Sequence, residues 1–384
     1  MAFSSLSEEL HQLEADSLLR RRRVLESPQD ARIVVDGEEC LSFCSNDYLG
    51  LASHPVLVEA LQQGSARFGV GGGASHLVSG HFAAHHDLET QLATFVGLPR
   101  ALLFSTGYMA NLGIVTALVG RDDEIFADKL NHASLNDAAL LSRARLTRFP
   151  HLDLAALESR LAASRARRKL VVVDAVFSMD GDIAPVPELL ALCERYDGWL
   201  MLDDAHGFGV LGKEGRGVLE HFAVTSPRIV YMATLGKAAG VAGAFAAGGE
   251  TLIEYLIQRA RTYIYTTAMP PPLAVATSAS LRLIASESWR RERLAELIDA
   301  LRRSLSVSRW QLPPSATAIQ PLVIGANREA LEVSEALRRC GIWVPAIRPP
   351  TVPKGQARLR ISLSAAHEVA DVERLAAALN EMQE

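Results

Sequence analysis

The chain has 384 residues, 49% hydrophobic and 22% charged, close to the averages for folded globular proteins, which excludes wholesale disorder and a fibrous repeat. Lys and Arg number 39 against 44 Asp and Glu, a formal net charge of −5, so there is no global electrostatic attraction to nucleic acid or to an anionic membrane. At about 150 residues per domain the length predicts two or three domains, or one large α/β domain with an appendage.

Leu6, Leu10 and Leu13 recur at helical spacing with Ser5 and Glu8 in the capping-box relation, which predicts an opening amphipathic helix running into Arg20–Arg23. No apolar run reaches the roughly 18–20 residues of a membrane span, and this N-terminus carries acidic residues where a signal peptide needs an apolar stretch, so the expected location is the cytoplasm. Cys40, Cys44, Cys193 and Cys340 are too scattered for a disulfide or zinc scaffold and read as thiols in a reducing compartment. Next come an extended segment with a hairpin turn at Gly37 and a polar loop, NDYLGLASHP, ending at Pro55. From there apolar runs alternate with helical patterns. RALLFS, KLVVVDAVF, GWLMLDDA and RIVYMAT predict strands, separated by helices such as DLAALESRLAASRAR and PVPELLALCERYD. Unbroken apolar strands between helices predict a mainly parallel sheet covered on both faces. After Pro270–Pro272 and one long helical stretch over about 273–305, AIQPLVIG, a helix closed by Gly341, IWVPAI, RLRISL and a terminal helix predict a smaller α+β domain. The expected divisions are 1–45, 46–285 and 286–384.

Ligands of α/β sheets bind beyond the carboxyl ends of strands, which directs attention to the residues following each apolar run. After LLFS comes Thr106-Gly107-Tyr108, a glycine at a helix start whose amides can face an anion. Asp203, Asp204 and His206 follow one strand, and Lys237 follows another beside Thr234 and Gly236. Such a lysine is either a surface charge or, desolvated by its small apolar neighbours, an imine-forming amine. An amine, a carboxylate and a phosphate cradle are the three needs of a pyridoxal phosphate site.

The chain also carries, in this order, SNDYLGL (45–51), NHAS (131–134), FSMDGD (177–182), DDAHGFGVLG (203–212), TLGKAAG (234–240), YTTAMPP (265–271) and RLRISLSAAH (358–367). In that order they resemble the pyridoxal-phosphate-dependent α-oxoamine synthases over nearly the whole chain. The resemblance implies a fold-type I enzyme, with a large domain holding the cofactor and a smaller C-terminal domain closing over substrate. It implies Lys237 as the cofactor's attachment point and the catalytic base, Asp203 at the pyridine nitrogen, and His206 and Ser178 at the phenolic edge. His132 would stack on the ring and meet the thioester oxygen. Gly107, Tyr108 and Thr234 would hold the phosphate, helped by Thr267 from a partner subunit of a homodimer. Arg20, Asn46, Arg348, Thr351 and Arg360 would contact substrate, Arg360 clamping the amino acid's carboxylate. IRPPTVPKG (347–355) is similar to the family members that join L-alanine to pimeloyl-CoA or a pimeloyl carrier-protein thioester in biotin synthesis. The alternatives are members that acetylate glycine, an aminotransferase, and a non-catalytic pyridoxal phosphate-binding regulator.

Two departures bear on substrate positioning: His76 stands where relatives more often have arginine, and Ala238-Ala239 lack an aromatic side chain common there. GVGGGA (69–74) matches a dinucleotide fingerprint superficially, but a helical pattern precedes it instead of a strand. Arg21–Arg23 read as a solvated helix end, and Asp174 and Asp180 as turn or capping carboxylates. His85 and His86 lack acidic or cysteine partners at ligand spacing, so no metal site is expected.

Overall fold

The computed structural model describes residues 4–383. Contacts divide them into two compact units: Leu51–Ser178 with Ile183–Trp289, and the residues up to Gly50 with Met179–Asp182 and everything from Arg290 onward. Among the described residues no helix is long and apolar enough to cross a membrane.

The chain opens with the helix Ser4–Ala15 and then a hairpin of β1 (Arg32–Val35) and β2 (Glu38–Ser42). Asp36 and Gly37 between them have φ of 52° and 80°, the consecutive left-handed residues that a tight two-residue hairpin needs. NDYLGLASHP is not a solvated loop, since Tyr48, Leu49 and Leu51 are fully buried.

The larger unit is built on seven strands: β3 (Arg100–Phe104), β4 (Glu124–Asp128), β5 (Arg145–Phe149), β6 (Lys169–Asp174), β7 (Trp199–Asp203), β8 (Ile229–Thr234) and β9 (Ala244–Gly248). Their order is β3-β9-β8-β7-β6-β4-β5. Every pairing is parallel except those of β9, which runs antiparallel to both β3 and β8. The chain moves outward from β4 to β5, then returns to place β6 on β4's other side, so the direction of winding reverses between β4 and β6. A crevice outside the carboxyl ends of the strands forms at such a switch point. β6, β7 and β8 are rich in Val, Leu and Ile because both faces are covered. The sequence reading passes over β9, AFAAG, because alanine and glycine are weak strand formers. Its five residues are all buried, and packing between β3 and β8 overrides the local preference.

The long helical stretch over 273–305 is two helices, Pro271–Ser286 and Trp289–Ser304, parted at Glu287–Ser288, and the units divide just after, between Trp289 and Arg290. In the smaller unit β10 (Ile319–Gly325), β13 (Ala357–Ser362) and β12 (Ala346–Ile347) form an antiparallel sheet. β11 (Ile342–Trp343) runs parallel to β2 and completes the hairpin's sheet, which is why the N-terminal segment clusters with C-terminal residues. Gly341, at φ 70°, follows the helix Asn327–Arg339 as its sequence position predicts.

Candidate active site

At the carboxyl ends of β4, β6, β7 and β8 lies a cavity of about 200 Å3. Of the cofactor residues expected from sequence, Gly107, Tyr108, His132, Ser178, Asp203, His206, Thr234 and Lys237 all line it. Thr267 does not; it is exposed and forms a backbone bridge to Ser75.

Lys237 sits in the turn after β8. Thr234 Oγ1 donates to the Gly243 carbonyl at 3.0 Å, and the Gly240 amide donates to the Lys237 carbonyl at 2.8 Å, so both ends of the turn are tied. Gly240 has φ of +67°, and a Cβ there would come within 2.6 Å of the Leu51–Ala52 backbone, so no other residue fits. The half-buried Lys237 places Nζ 2.8 Å from His206 Nε2.

Asp203 ends β7, and its Oδ2 accepts from Asn111 Nδ2 at 2.7 Å while Oδ1 accepts the Ala205 amide at 3.1 Å. The same Asn111 Nδ2 donates to Ser134 Oγ at 2.8 Å. Asp204 does not line the cavity: its Oδ2 accepts from the Tyr231 hydroxyl at 2.8 Å and the Val218 amide at 2.7 Å. Complete burial pushes the Asp204 carboxyl up to about 7, against the pull of these donors.

His132 caps the helix Ala133–Ser142, its ring Nδ1 lying 2.7 Å from Ser134 Oγ and its backbone amide donating to Asp174 Oδ2 at 2.7 Å. Burial lowers the imidazole's pKa, partly offset by attraction to Asp203, and the Lys237 ammonium lowers it further. Asp174 is a buried capping carboxylate held well above the usual range, first by burial and then by Asp203 on the neighbouring strand. Gly107 begins the helix Gly107–Leu118, capped by Thr106 Oγ1, which accepts the Met109 amide at 3.1 Å. The first-turn amides of any helix lack intrahelical acceptors and so face outward as anion donors. Tyr108 Oη donates to Asp137.

Of the expected substrate residues, His132 lines the cavity, and the other five belong to the other unit, in two groups. Arg360 is buried on β13 and donates to Asn46 Oδ1 at 3.1 Å, Ser362 Oγ at 2.7 Å and the Tyr48 hydroxyl at 3.3 Å. Its neighbour Arg358 is bound instead to Asp180 at 2.7 Å. Arg20 Nη2 donates to Thr351 Oγ1 at 3.3 Å, and Arg348 donates to the Ser17 carbonyl at 2.6 Å. Burial and the Arg20 charge both lower the Arg348 pKa.

Sequence reasoning gave no role to Asn111 or Ser134 and read Asp174 only as a turn or capping carboxylate, although all three line the cavity. Asn111 was legible in principle: it lies four residues after Gly107, one turn along the same helix face. Of the departures, Ala238 and Ala239 are fully buried, with the Ala239 carbonyl taking the Ser280 hydroxyl at 2.7 Å. His76 stacks on Tyr263, centroids 4.9 Å apart.

Residues 38–379 match the aminotransferase class I and II family. The chain is 68% identical to the 8-amino-7-oxononanoate synthase of Nitrosospira multiformis over 95% of this chain and 92% of that one. It is 62% identical to the protein of the same name from Nitrosomonas europaea, over 99% of both. Among solved structures it is similar to a serine palmitoyltransferase from Sphingomonas wittichii, with a TM-score of 0.91 and 30% identity over 99% of this chain and 96% of that one. The 8-amino-7-oxononanoate synthase of Francisella tularensis gives 0.77 and 31%, over 90% and 98% respectively. The chain therefore belongs to the aminotransferase class I and II family and, within it, to the 8-amino-7-oxononanoate synthases.

Proposed function

We propose that the protein condenses L-alanine with pimeloyl-CoA, or with a pimeloyl carrier-protein thioester, to give 8-amino-7-oxononanoate, CoA and CO2 for biotin synthesis, using pyridoxal 5′-phosphate. The observation that carries this is Lys237 Nζ at 2.8 Å from His206, in one cavity with Asp203, in a chain 68% identical to a protein of that name.

The residues present fit the cofactor. Lys237 supplies the amine, Asp203 an anchored carboxylate, and Thr234 with the helix start at Gly107 an anion cradle. A Cβ on Gly107 would lie 3.8 Å from Thr234 Cβ, in the space a phosphate needs. When bound, pyridoxal phosphate supplies an electron sink for a carbanion at the amino acid's Cα.

Lys237 Nζ would be the cofactor's attachment point and, as a free amine, the base for alanine's Cα proton. His206, beside that nitrogen, orients it and would hold the ring's phenolic edge together with Ser178. Asp203, kept in place by Asn111 and the Ala205 amide, would hold the proton on the pyridine nitrogen. His132 would cover the ring's face, and its lowered pKa favours the neutral imidazole, able to donate one N–H to the thioester oxygen without a full charge. Arg360 is the proposed clamp for alanine's carboxylate, and Arg20, Arg348 and Thr351 the groups that meet the acyl donor.

The proposed working form is a cytoplasmic homodimer. Four free thiols fit a reducing compartment. Val70, Val78 and Tyr265, 80%, 80% and 71% exposed in the single chain, flank the Ser75–Thr267 bridge and are apolar surface that a second copy would cover. Borohydride reduction of the holoenzyme should fix the cofactor on Lys237; peptide mapping that places it on another lysine would overturn the assignment.

A further inference from the structure

The segment that carries the glycine-rich stretch ends in three histidines spaced His76-x4-His81-x3-His85. Only His85 and His86 lie on the helix Ala83–Val96; the π-turn His76–Gly80 folds His76 back onto them. The potential ligand atoms of His76, His81 and His85 all lie within 4.8 Å of one another. His76 Nδ1 and His81 Nδ1 are 3.0 Å apart, near the roughly 3.4 Å between two nitrogens that share a tetrahedral Zn2+ at about 2.1 Å each. Two neutral imidazoles at this separation share one proton between facing lone pairs, which is where a divalent ion would sit.

His85 is oriented as metal-binding histidines are. Its Nε2 lies 2.9 Å from the Met269 carbonyl, and since a carbonyl only accepts, that nitrogen carries the proton and Nδ1 keeps its lone pair. The competing donor to that lone pair is the Phe82 amide at 3.1 Å, on a partly exposed residue where water can replace it. The His76 ring is held flat against Tyr263, with planes 9° apart. Burial lowers the pKa of all three imidazoles. None of the three lines the cofactor cavity.

We infer that His76, His81 and His85 form a site for a borderline transition-metal ion of the Zn2+ class, one per chain, with an open coordination position beside His81. A bound ion would tie the end of the glycine-rich segment to the start of the helix Ala83–Val96. That segment also pairs with Thr267 and, through the Ala268 amide donating to the Ala74 carbonyl at 2.9 Å, with the YTTAMPP stretch.

The test uses chelator-stripped holoenzyme titrated with Zn2+ in competition with a chromophoric chelator, and with Co2+, whose ligand-field bands lie to the red of the cofactor's absorption. One equivalent per chain is expected, with tetrahedral Co2+ bands. Affinity should fall at least about tenfold, the least that loss of even an outer-shell partner usually costs, in His81→Ala and in His76→Gln, and stay unchanged in His221→Ala. His81 is exposed, so its variant should fold, and His76→Gln provides an independent check. Failure to bind a stoichiometric ion, or binding indifferent to both variants, would overturn the site.

Discussion

Asp203 and Asp204 are adjacent, yet successive residues of a strand point to opposite faces of the sheet, and this separates their fates. Asp203 turns into the cavity beside Asn111, while Asp204 turns inward to Tyr231 and the Val218 amide. Asp203→Asn removes the charge that keeps the pyridine nitrogen protonated, so turnover should fall by about 10²–10⁴-fold with cofactor still bound. Steady-state rates near those of the parent, with Asp204→Asn inactive instead, would reverse the assignment. Asp204 should act on stability. Its carboxyl is raised from 3.8 to about 7 on folding, so the folded chain favours the protonated form; that contribution is full below 3.8 and is lost as pH rises through about 7. Urea midpoints measured across that window should show a decline in the parent that is flattened in Asp204→Asn. An equal slope in both would refute the shift. Local pattern offered two aspartates in the right place and the family motif singled out Asp203; the direction of each side chain, a tertiary property, supplies the physical reason.

At the scale of elements, the cofactor's proposed phosphate cradle depends on how one helix begins. Thr106 closes the first turn of the helix Gly107–Leu118 by accepting the Met109 amide. Thr106→Ala should cost about 0.5–2 kcal/mol, seen as a lowered melting temperature, and should weaken cofactor affinity measured by fluorescence titration. Thr106→Ser should recover most of both; a variant that loses cofactor affinity without recovery by Ser would show that the methyl group matters and the cap does not. The strands that carry Asp203 and Thr234 and lead to Lys237 were legible because buried parallel strands are unbroken apolar runs. β9 was not, because its alanines carry no such pattern. The burial of Tyr48 and Leu49 was also hidden, since turn-forming residues flank them and periodicity reports nothing over so short a stretch.

At the scale of the whole molecule, Arg20 and Thr351 stand 331 positions apart and are hydrogen-bonded in the smaller unit, a pairing that no local pattern could show. Arg20→Ala and Thr351→Ala should raise the KM for pimeloyl-CoA severalfold more than that for L-alanine, as expected of groups that meet the acyl chain's distal end. Equal changes in both constants would contradict that role. Chemistry within the cavity of the larger unit is common ground for all acyl transfers of this kind, and one methyl group in a pocket is worth only about 1–3 kcal/mol, so some turnover of glycine is expected alongside alanine. The distal carboxylate of pimeloyl separates the readings more sharply, because it must stay hydrated or find a cationic or hydroxyl partner, and acetyl needs neither. The most direct measurement is therefore kcat/KM by CoA release over a panel of amino acids and acyl thioesters, with the product's mass determined. The highest value should fall to L-alanine with the pimeloyl thioester, giving 8-amino-7-oxononanoate and CO2; glycine with acetyl-CoA outrunning that pair would contradict the assignment.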